Sequence, residues 1–256
     1  MEFIKMDLKK AILCAKLSEL AYHKPDKDTI KKFEELGFEF CKEIDHNNSQ
    51  CYIVHNKKSI YVIYRGTELK FSEMKDMLRN GMIWPTTGMK QGLVHAGFAD
   101  ATDQLWDDVV AILDTEVNLY GMHDDVTFTG HSLGGAMAII SAVRSKYIAD
   151  IYTCGSPRAG NAEFCKNIKS RSYRINNGND IIPSILPPIG YRHGGFEYRI
   201  HKDIIHKTLG GWNGWKWQLK ISLYHILKLR WFRSLLGDHR ITEYVSNLES
   251  AHRDNS

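Results

Sequence analysis

Uninterrupted apolar runs are scarce where they would matter most in this 256-residue chain. Near its start, Leu8-Lys9-Lys10-Ala11-Ile12-Leu13 breaks any apolar core with charge, which argues against a signal peptide and gives the expectation of a cytoplasmic protein. The tryptophan-rich stretch 209–236 is interrupted by lysine and arginine too often to span a bilayer. Metal-ligand spacings such as C-x-x-C and H-E-x-x-H are missing, so neither a metal nor a cofactor is called for. The five cysteines, Cys14, Cys41, Cys51, Cys154 and Cys165, are odd in number, and reduced thiols are expected rather than a disulfide framework. No strong charge of one sign is present: the formal net charge is +4, and the excess gathers in the tryptophan-rich stretch rather than in a nucleic-acid-binding motif. Nucleic acid is not an expected partner. Repeats, low-complexity tracts and linkers are also lacking, apart from the polar tail Ser250 to Ser256.

What is present fits one domain over residues 1–256. With 43% hydrophobic and 25% charged residues the chain can bury a full core. Helices are expected near Asp7 to Tyr22 and Asp28 to Leu36, and strands near Phe38 to Glu43, Cys51 to His55 and Ser59 to Tyr64. From Phe98 onward, Leu105, Trp106, Val109, Val110, Ile112, Leu113 and Val117 recur at helical spacing. Strands follow at Val126 to Thr129, Ile151 to Cys154 and Ser172 to Asn176. This alternation predicts an α/β fold with a mainly parallel central sheet and helices on both faces.

The most informative residues are Gly130-His131-Ser132-Leu133-Gly134, a G-x-S-x-G between the strand 126–129 and the apolar run Ala136 to Ile140. A strand that breaks at a glycine-flanked serine and continues as a helix is a nucleophile elbow, which exposes the Ser132 hydroxyl. The glycines are needed because a side chain at 130 or 134 would collide with the neighbouring strand or helix. A serine hydroxyl attacks only when a histidine takes its proton and a carboxylate orients that histidine, and the chain order should be Ser, Asp, His. Asp180 lies just past the strand 172–176, at the edge where open α/β sheets hold their sites; an Asx turn is its alternative role. Of the 12 histidines, six follow Ser132. His239, directly before the helical pattern Ile241, Tyr244, Val245, Leu248, is favoured over His193 in Gly190-Tyr191-Arg192-His193-Gly194-Gly195. The oxyanion of an acyl-transfer intermediate needs two donors, each worth roughly 3 kcal/mol. Leu133 supplies its N–H by the geometry of the elbow, and Thr67, at the end of the strand 59–64, is expected to supply the second; a plain strand-end turn is the alternative there.

These residues resemble the class 3 lipases, the fungal-lipase-like branch of the α/β-hydrolases. The likeness runs from Leu17-Ser18-Glu19-Leu20-Ala21-Tyr22 through Tyr64-Arg65-Gly66-Thr67, Val94-His95-Ala96-Gly97-Phe98 and Gly130 to Gly135. It continues with Gly155-Ser156-Pro157-Arg158-Ala159-Gly160-Asn161, Asn179-Asp180-Ile181-Ile182-Pro183 and Asp238-His239. The resemblance implies the α/β-hydrolase fold, Ser132 as nucleophile with Asp180 and His239, Thr67 and Leu133 as oxyanion hole, and hydrolysis of lipid-like acyl esters. Phospholipids or small soluble esters are the alternative substrates. A catalytically silent membrane-binding module is a more distant reading, against which the complete set of four residues argues.

Two segments need a reading of their own, the first of them lying where the resemblance implies a lid. The segment 69–92 carries Met74, Met77, Leu78, Met82, Ile83, Trp84 and Met89, a soft surface suited to a lid; packing into the core is the alternative. The segment 209–236 interleaves Trp212, Trp215, Trp217 and Trp231 with Lys216, Lys220, Lys228, Arg230 and Arg233. Indoles with cations suit an anionic membrane interface, and peripheral membrane association follows as an expectation. An insertion packed on the core with snorkelling lysines is the competing reading.

Overall fold

A computed structural model describes residues 6–66, 87–89, 92–121, 125–186, 190–201, 204–208 and 237–254. The chain opens with two helices, α1 (Leu8–Leu20) and α2 (Lys27–Glu35). Aspartates start both: the Asp7 carboxylate accepts the Lys10 N–H at 3.1 Å and that of Asp26 accepts the Thr29 N–H at 2.9 Å, each satisfying a donor that the first turn leaves free. Three strands follow, β1 (Phe40–His46), β2 (Ser49–His55) and β3 (Ile60–Tyr64). Asn47 and Asn48 join the first two at φ 49° and 70°, a left-handed pair suited to a tight hairpin.

A short ribbon of β4 (Thr87–Met89) and β5 (Gly92–Val94) leads into α3 (Ala96–Tyr120). The helical stripe read from sequence faces inward here, with Phe98, Leu105, Val109, Leu113 and Val117 buried, and Gly121 ends the helix at φ 69°. Next come β6 (Val126–His131), α4 (Leu133–Arg144), β7 (Asp150–Cys154), the short α5 (Ala162–Lys166) and β8 (Arg171–Asn177). A hairpin of β9 (Phe196–His201) and β10 (Ile204–Thr208) precedes the last helix, α6 (Ile241–Arg253).

The main sheet has eight strands in the order β1-β2-β3-β6-β7-β8-β9-β10. Its centre, from β3 to β9, is parallel, and the flanking pairs β1–β2, β2–β3 and β9–β10 are antiparallel. Alternation of side chains along the strands splits the core into two layers. Val62 and Tyr64 of β3 pack with α3 and α4, while Tyr61 and Ile63 pack with α1, α2 and α6. Every residue of β3, β6 and β7 is buried, as expected for central strands covered on both faces. The predicted α/β architecture is therefore the observed one, extended at both edges by antiparallel hairpins that the strand–helix alternation does not reveal. The C-terminal ends of the parallel strands, at Tyr64, His131, Cys154 and Asn177, come together on one edge of the sheet.

All five cysteines are free thiols. Cys14, Cys51 and Cys154 are buried, and burial pushes the Cys14 thiol up to about 12, far from the thiolate range in which cysteine is reactive.

His95, at the entry to α3, is wholly enclosed against Phe98, with ring centroids 4.3 Å apart, and neither ring nitrogen has a hydrogen-bond partner among the described residues. Burial lowers its pKa to about 4. In the unfolded chain the ring ionises near pH 6.5, so acid protonates the unfolded state first and stability falls as pH drops through this window. We expect His95→Phe to flatten the fall below pH 6.5 by up to about 1.4 kcal/mol per pH unit. Urea unfolding of both proteins between pH 7.5 and 5 measures this; parallel curves would exclude His95 as a source of the acid sensitivity.

Candidate active site

At the end of β6 the chain reverses. Ser132 sits at φ 57° and ψ −127°, a conformation that ordinary side chains rarely adopt and that persists only when its surroundings enforce it. Those surroundings are backbone. A Cβ on Gly134 would run into the Tyr64 carbonyl, and one on Gly130 into the Gly134 carbonyl, so neither position can carry a side chain. The turn is tied down by the Ser132 N–H, which donates to the Cys154 carbonyl at 3.0 Å.

The turn aims the Ser132 hydroxyl at His239. Ser132 Oγ lies 2.9 Å from His239 Nε2, and His239 Nδ1 lies 2.7 Å from Asp180 Oδ2. The carboxylate makes two further hydrogen bonds: Oδ1 accepts the Ile182 N–H at 2.8 Å and Oδ2 accepts the Tyr244 hydroxyl at 2.6 Å. Because a carboxylate accepts, His239 Nδ1 carries the proton and Nε2 is left with its lone pair toward the serine. The Asp180 side chain is fully enclosed. His193, the rival candidate, lies elsewhere: it is engaged with the Pro183 carbonyl at 2.8 Å through Nε2, and burial with the nearby Arg174 and Arg158 pushes its pKa well below the ordinary value.

Four residues not anticipated as site residues complete the arrangement. His131 Nε2 donates to the His239 carbonyl at 2.7 Å, and its Nδ1 therefore accepts the Tyr22 hydroxyl at 2.8 Å. Burial and the neighbouring His239 hold the His131 pKa well below the usual histidine range, which keeps this tautomer neutral. Tyr244 belongs to the buried stripe of α6, where a phenol hydroxyl needs a partner; that need is the one sequence signal for its role beside Asp180. Gly155, at φ 60°, closes the other side: a Cβ there would lie 2.7 Å from Asp180 Oδ2 and 3.1 Å from His239 Cε1.

Leu133 opens α4 immediately after the serine, at a helix N-terminus where backbone N–H groups have no intrahelical acceptor. Gly66 carries the backbone after β3 to the elbow so closely that a Cβ would collide with the Tyr22 hydroxyl and approach the His131 carbonyl to 2.6 Å. Thr67, the expected second oxyanion donor, lies outside the described residues, as do the segment 209–236 and, except for 87–89 and Gly92, the segment 69–92. Among the described residues no group of three or more His, Cys, Asp or Glu side chains is arranged to hold a metal ion, and no helix is long and apolar enough to cross a membrane.

A family model described as Lipase (class 3) matches residues 61–189 of the chain. Over 117 residues the chain is 40% identical to the secreted mono- and diacylglycerol lipase 1 of Fusarium solani, covering 41% of this chain and 33% of that protein. It is 31% identical over 154 residues to a lipase of Rhizopus niveus, covering 55% and 38%. The match thus spans about a third of the length of these relatives. Among solved structures, the lipase of Rhizopus microsporus var. chinensis superposes with a TM-score of 0.64 at 26% identity, covering 78% of this chain and 76% of that one. A triacylglycerol lipase described as having a serine protease triad as its catalytic centre superposes with a TM-score of 0.64 at 25% identity, covering 77% and 81%. The fold is that of the α/β-hydrolases. One expectation is overturned: the relatives from Fusarium solani and Malassezia restricta are named as secreted, which points to an extracellular protein rather than a cytoplasmic one. Charges among apolar residues near position 10 and an odd number of cysteines are only indirect signs of compartment.

Removing one donor from the buried carboxylate should be costly. Tyr244→Phe is expected to lower stability by about 1.5–3 kcal/mol, the range for hydrogen bonds to charged groups. Urea denaturation at neutral pH checks this, and an unchanged midpoint would mean that the phenol does not stabilise Asp180.

Proposed function

The chain belongs to the class 3 lipase family, and from that premise we propose that it is a serine lipase that hydrolyses acylglycerol-type carboxylic esters through an acyl-enzyme. The observation that carries this reading is the continuous hydrogen-bonded line from Ser132 Oγ through the His239 ring to the enclosed Asp180 carboxylate. Ser132 attacks the ester carbonyl while His239 Nε2 takes its proton, and Asp180 holds the imidazolium that forms. The Leu133 N–H and Thr67 stabilise the oxyanion. His239 then protonates the leaving alcohol, and a water activated by the same ring releases the acid and regenerates the serine. No step calls for a metal.

The names of the relatives support acylglycerols as the substrate class and an extracellular setting. The whole chain is read as a single catalytic domain in which the methionine-rich segment 69–92 acts as a lid over the acyl site. The interleaved tryptophans and cations of 209–236 support peripheral binding to an anionic lipid surface.

Hydrolysis of a short chromogenic butyrate ester by the wild-type chain and by Ser132→Ala tests the chemistry: activity should vanish with the serine, and equal activity in both would overturn the proposal. Asp180→Asn should fold and lose about 10⁴-fold in kcat, because the amide presents a donor where the histidine needs an acceptor. Charge reversal at Lys216, Lys220, Lys228, Arg230 and Arg233 should weaken sedimentation with anionic vesicles and spare hydrolysis of the soluble ester. Unchanged sedimentation would remove 209–236 as the anchor.

A further inference from the structure

Two of the three proposed catalytic side chains are carried by loops. Asp180 follows β8, and His239 precedes α6, so neither helix nor strand fixes the distance between them. A misplacement of about 1 Å at such a pair can cost on the order of 10²-fold in rate, so something besides their mutual hydrogen bond must hold the two loops in register.

Asp238 stands at that junction. Its Oδ2 accepts the Asn179 N–H at 2.8 Å, joining the residue before the histidine to the residue before the acid. Gly178, at φ 44°, brings the acid loop close enough that a Cβ there would lie 2.6 Å from the same oxygen. On the backbone of Asp238, the carbonyl accepts Asn177 Nδ2 at 3.0 Å, and Asn177 Oδ1 accepts Asn247 Nδ2 of α6 at 2.9 Å. The acid loop is fastened to the sheet in turn: the Gly178 N–H donates to the Ile200 carbonyl at 2.8 Å, and the Gly178 carbonyl accepts Arg199 Nη1 at 3.0 Å.

We propose that Asp238 is a positioning residue for the reaction, its carboxylate acting as a staple between the loop that presents His239 and the loop that presents Asp180. The inference rests on the serine-hydrolase reading and extends it. The hydrogen bond from the Asn179 N–H to the Asp238 oxygen closes a small ring through Asp238, Asn179, Asp180 and His239, so the acid–base contact is registered by the residues beside it. The oxygen matters as an acceptor at that point. Its charge alone does not.

Asp238→Ala and Asp238→Asn separate these roles, with Asp238→Ser as a second variant that keeps a loop-compatible polar side chain but no carboxyl oxygen at Asn179. In the full chain, with a short soluble ester, Asp238→Ala and Asp238→Ser should lower kcat by about 10²-fold and leave KM unchanged. The downfield ¹H NMR resonance of the His239 Nδ1 proton should broaden or vanish with them. Asp238→Asn retains an acceptor oxygen and should restore both kcat and the resonance. In an Asp180→Asn background the Asp238→Ala loss should disappear, because there is no acid–base contact left to align. Wild-type kcat and resonance in Asp238→Ala would overturn the proposal, as would equal losses in the Ala and Asn variants. Should the wild-type chain hydrolyse no ester, or Ser132→Ala hydrolyse it equally, the catalytic reading fails by itself; the NMR comparison still decides for or against the staple.

Discussion

A hydroxyl can meet a histidine ring on one side and an incoming carbonyl on the other only if the backbone turns sharply beneath it, and Ser132 makes that turn at φ 57° and ψ −127°. The conformation costs of order 1–3 kcal/mol and survives because packed backbone leaves no relaxed alternative. Gly130 and Gly134 let β6, α4 and the end of β3 approach to contact, and the Ser132 N–H is held by the end of β7. Relieving the strain would require moving the central strands apart. The rigidity of the parallel sheet is thus transmitted to one side chain.

Around that fixed point the polar groups are oriented by requirement rather than by preference. The His239 carbonyl needs a donor, which fixes the tautomer of His131; a neutral His131 then needs a donor at Nδ1, which Tyr22 provides. Asp180 accepts from the Ile182 N–H and the Tyr244 hydroxyl as well as from His239, which leaves its position little freedom. The turn after α1, the strand β6, the helix α6 and the loop after β8 each contribute a member, so the arrangement forms only when α1 and α6 are packed on the sheet. Helices α1 and α6 cover the same face of the sheet, and the hydroxyls of Tyr22, in the turn after α1, and of Tyr244 in α6 reach the site from that side.

The local part of this was legible in the sequence. The elbow depends on contacts within five residues, and glycine at 130 and 134 states them directly. Asp180 was readable because strand 171–177 ends in an evident turn, and His239 because a helical stripe follows it. The choice between His239 and His193 rested on loop setting alone; the fold separates them by engaging His193 with the Pro183 carbonyl. The partners Tyr22, His131 and Tyr244 were not legible, since their bonds join residues 64 to 109 positions apart and each residue type also suits a plain core position. The second antiparallel edge was only half legible: in β9 Phe196, Tyr198 and Ile200 alternate with Glu197, Arg199 and His201 at the period of a strand, whereas β10 shows no such alternation.

On the proposed function, the strained turn and the acid–histidine line make one hydroxyl nucleophilic among all those in the chain. Exposure of the folded protein to a phosphonofluoridate tests it most directly, because an activated serine oxygen attacks phosphorus and expels fluoride without any need for a particular lipid. Peptide mass spectrometry should find one equivalent of label, on Ser132, and none after His239→Ala. Label on another residue, or undiminished label on Ser132 in the His239→Ala chain, would contradict the account.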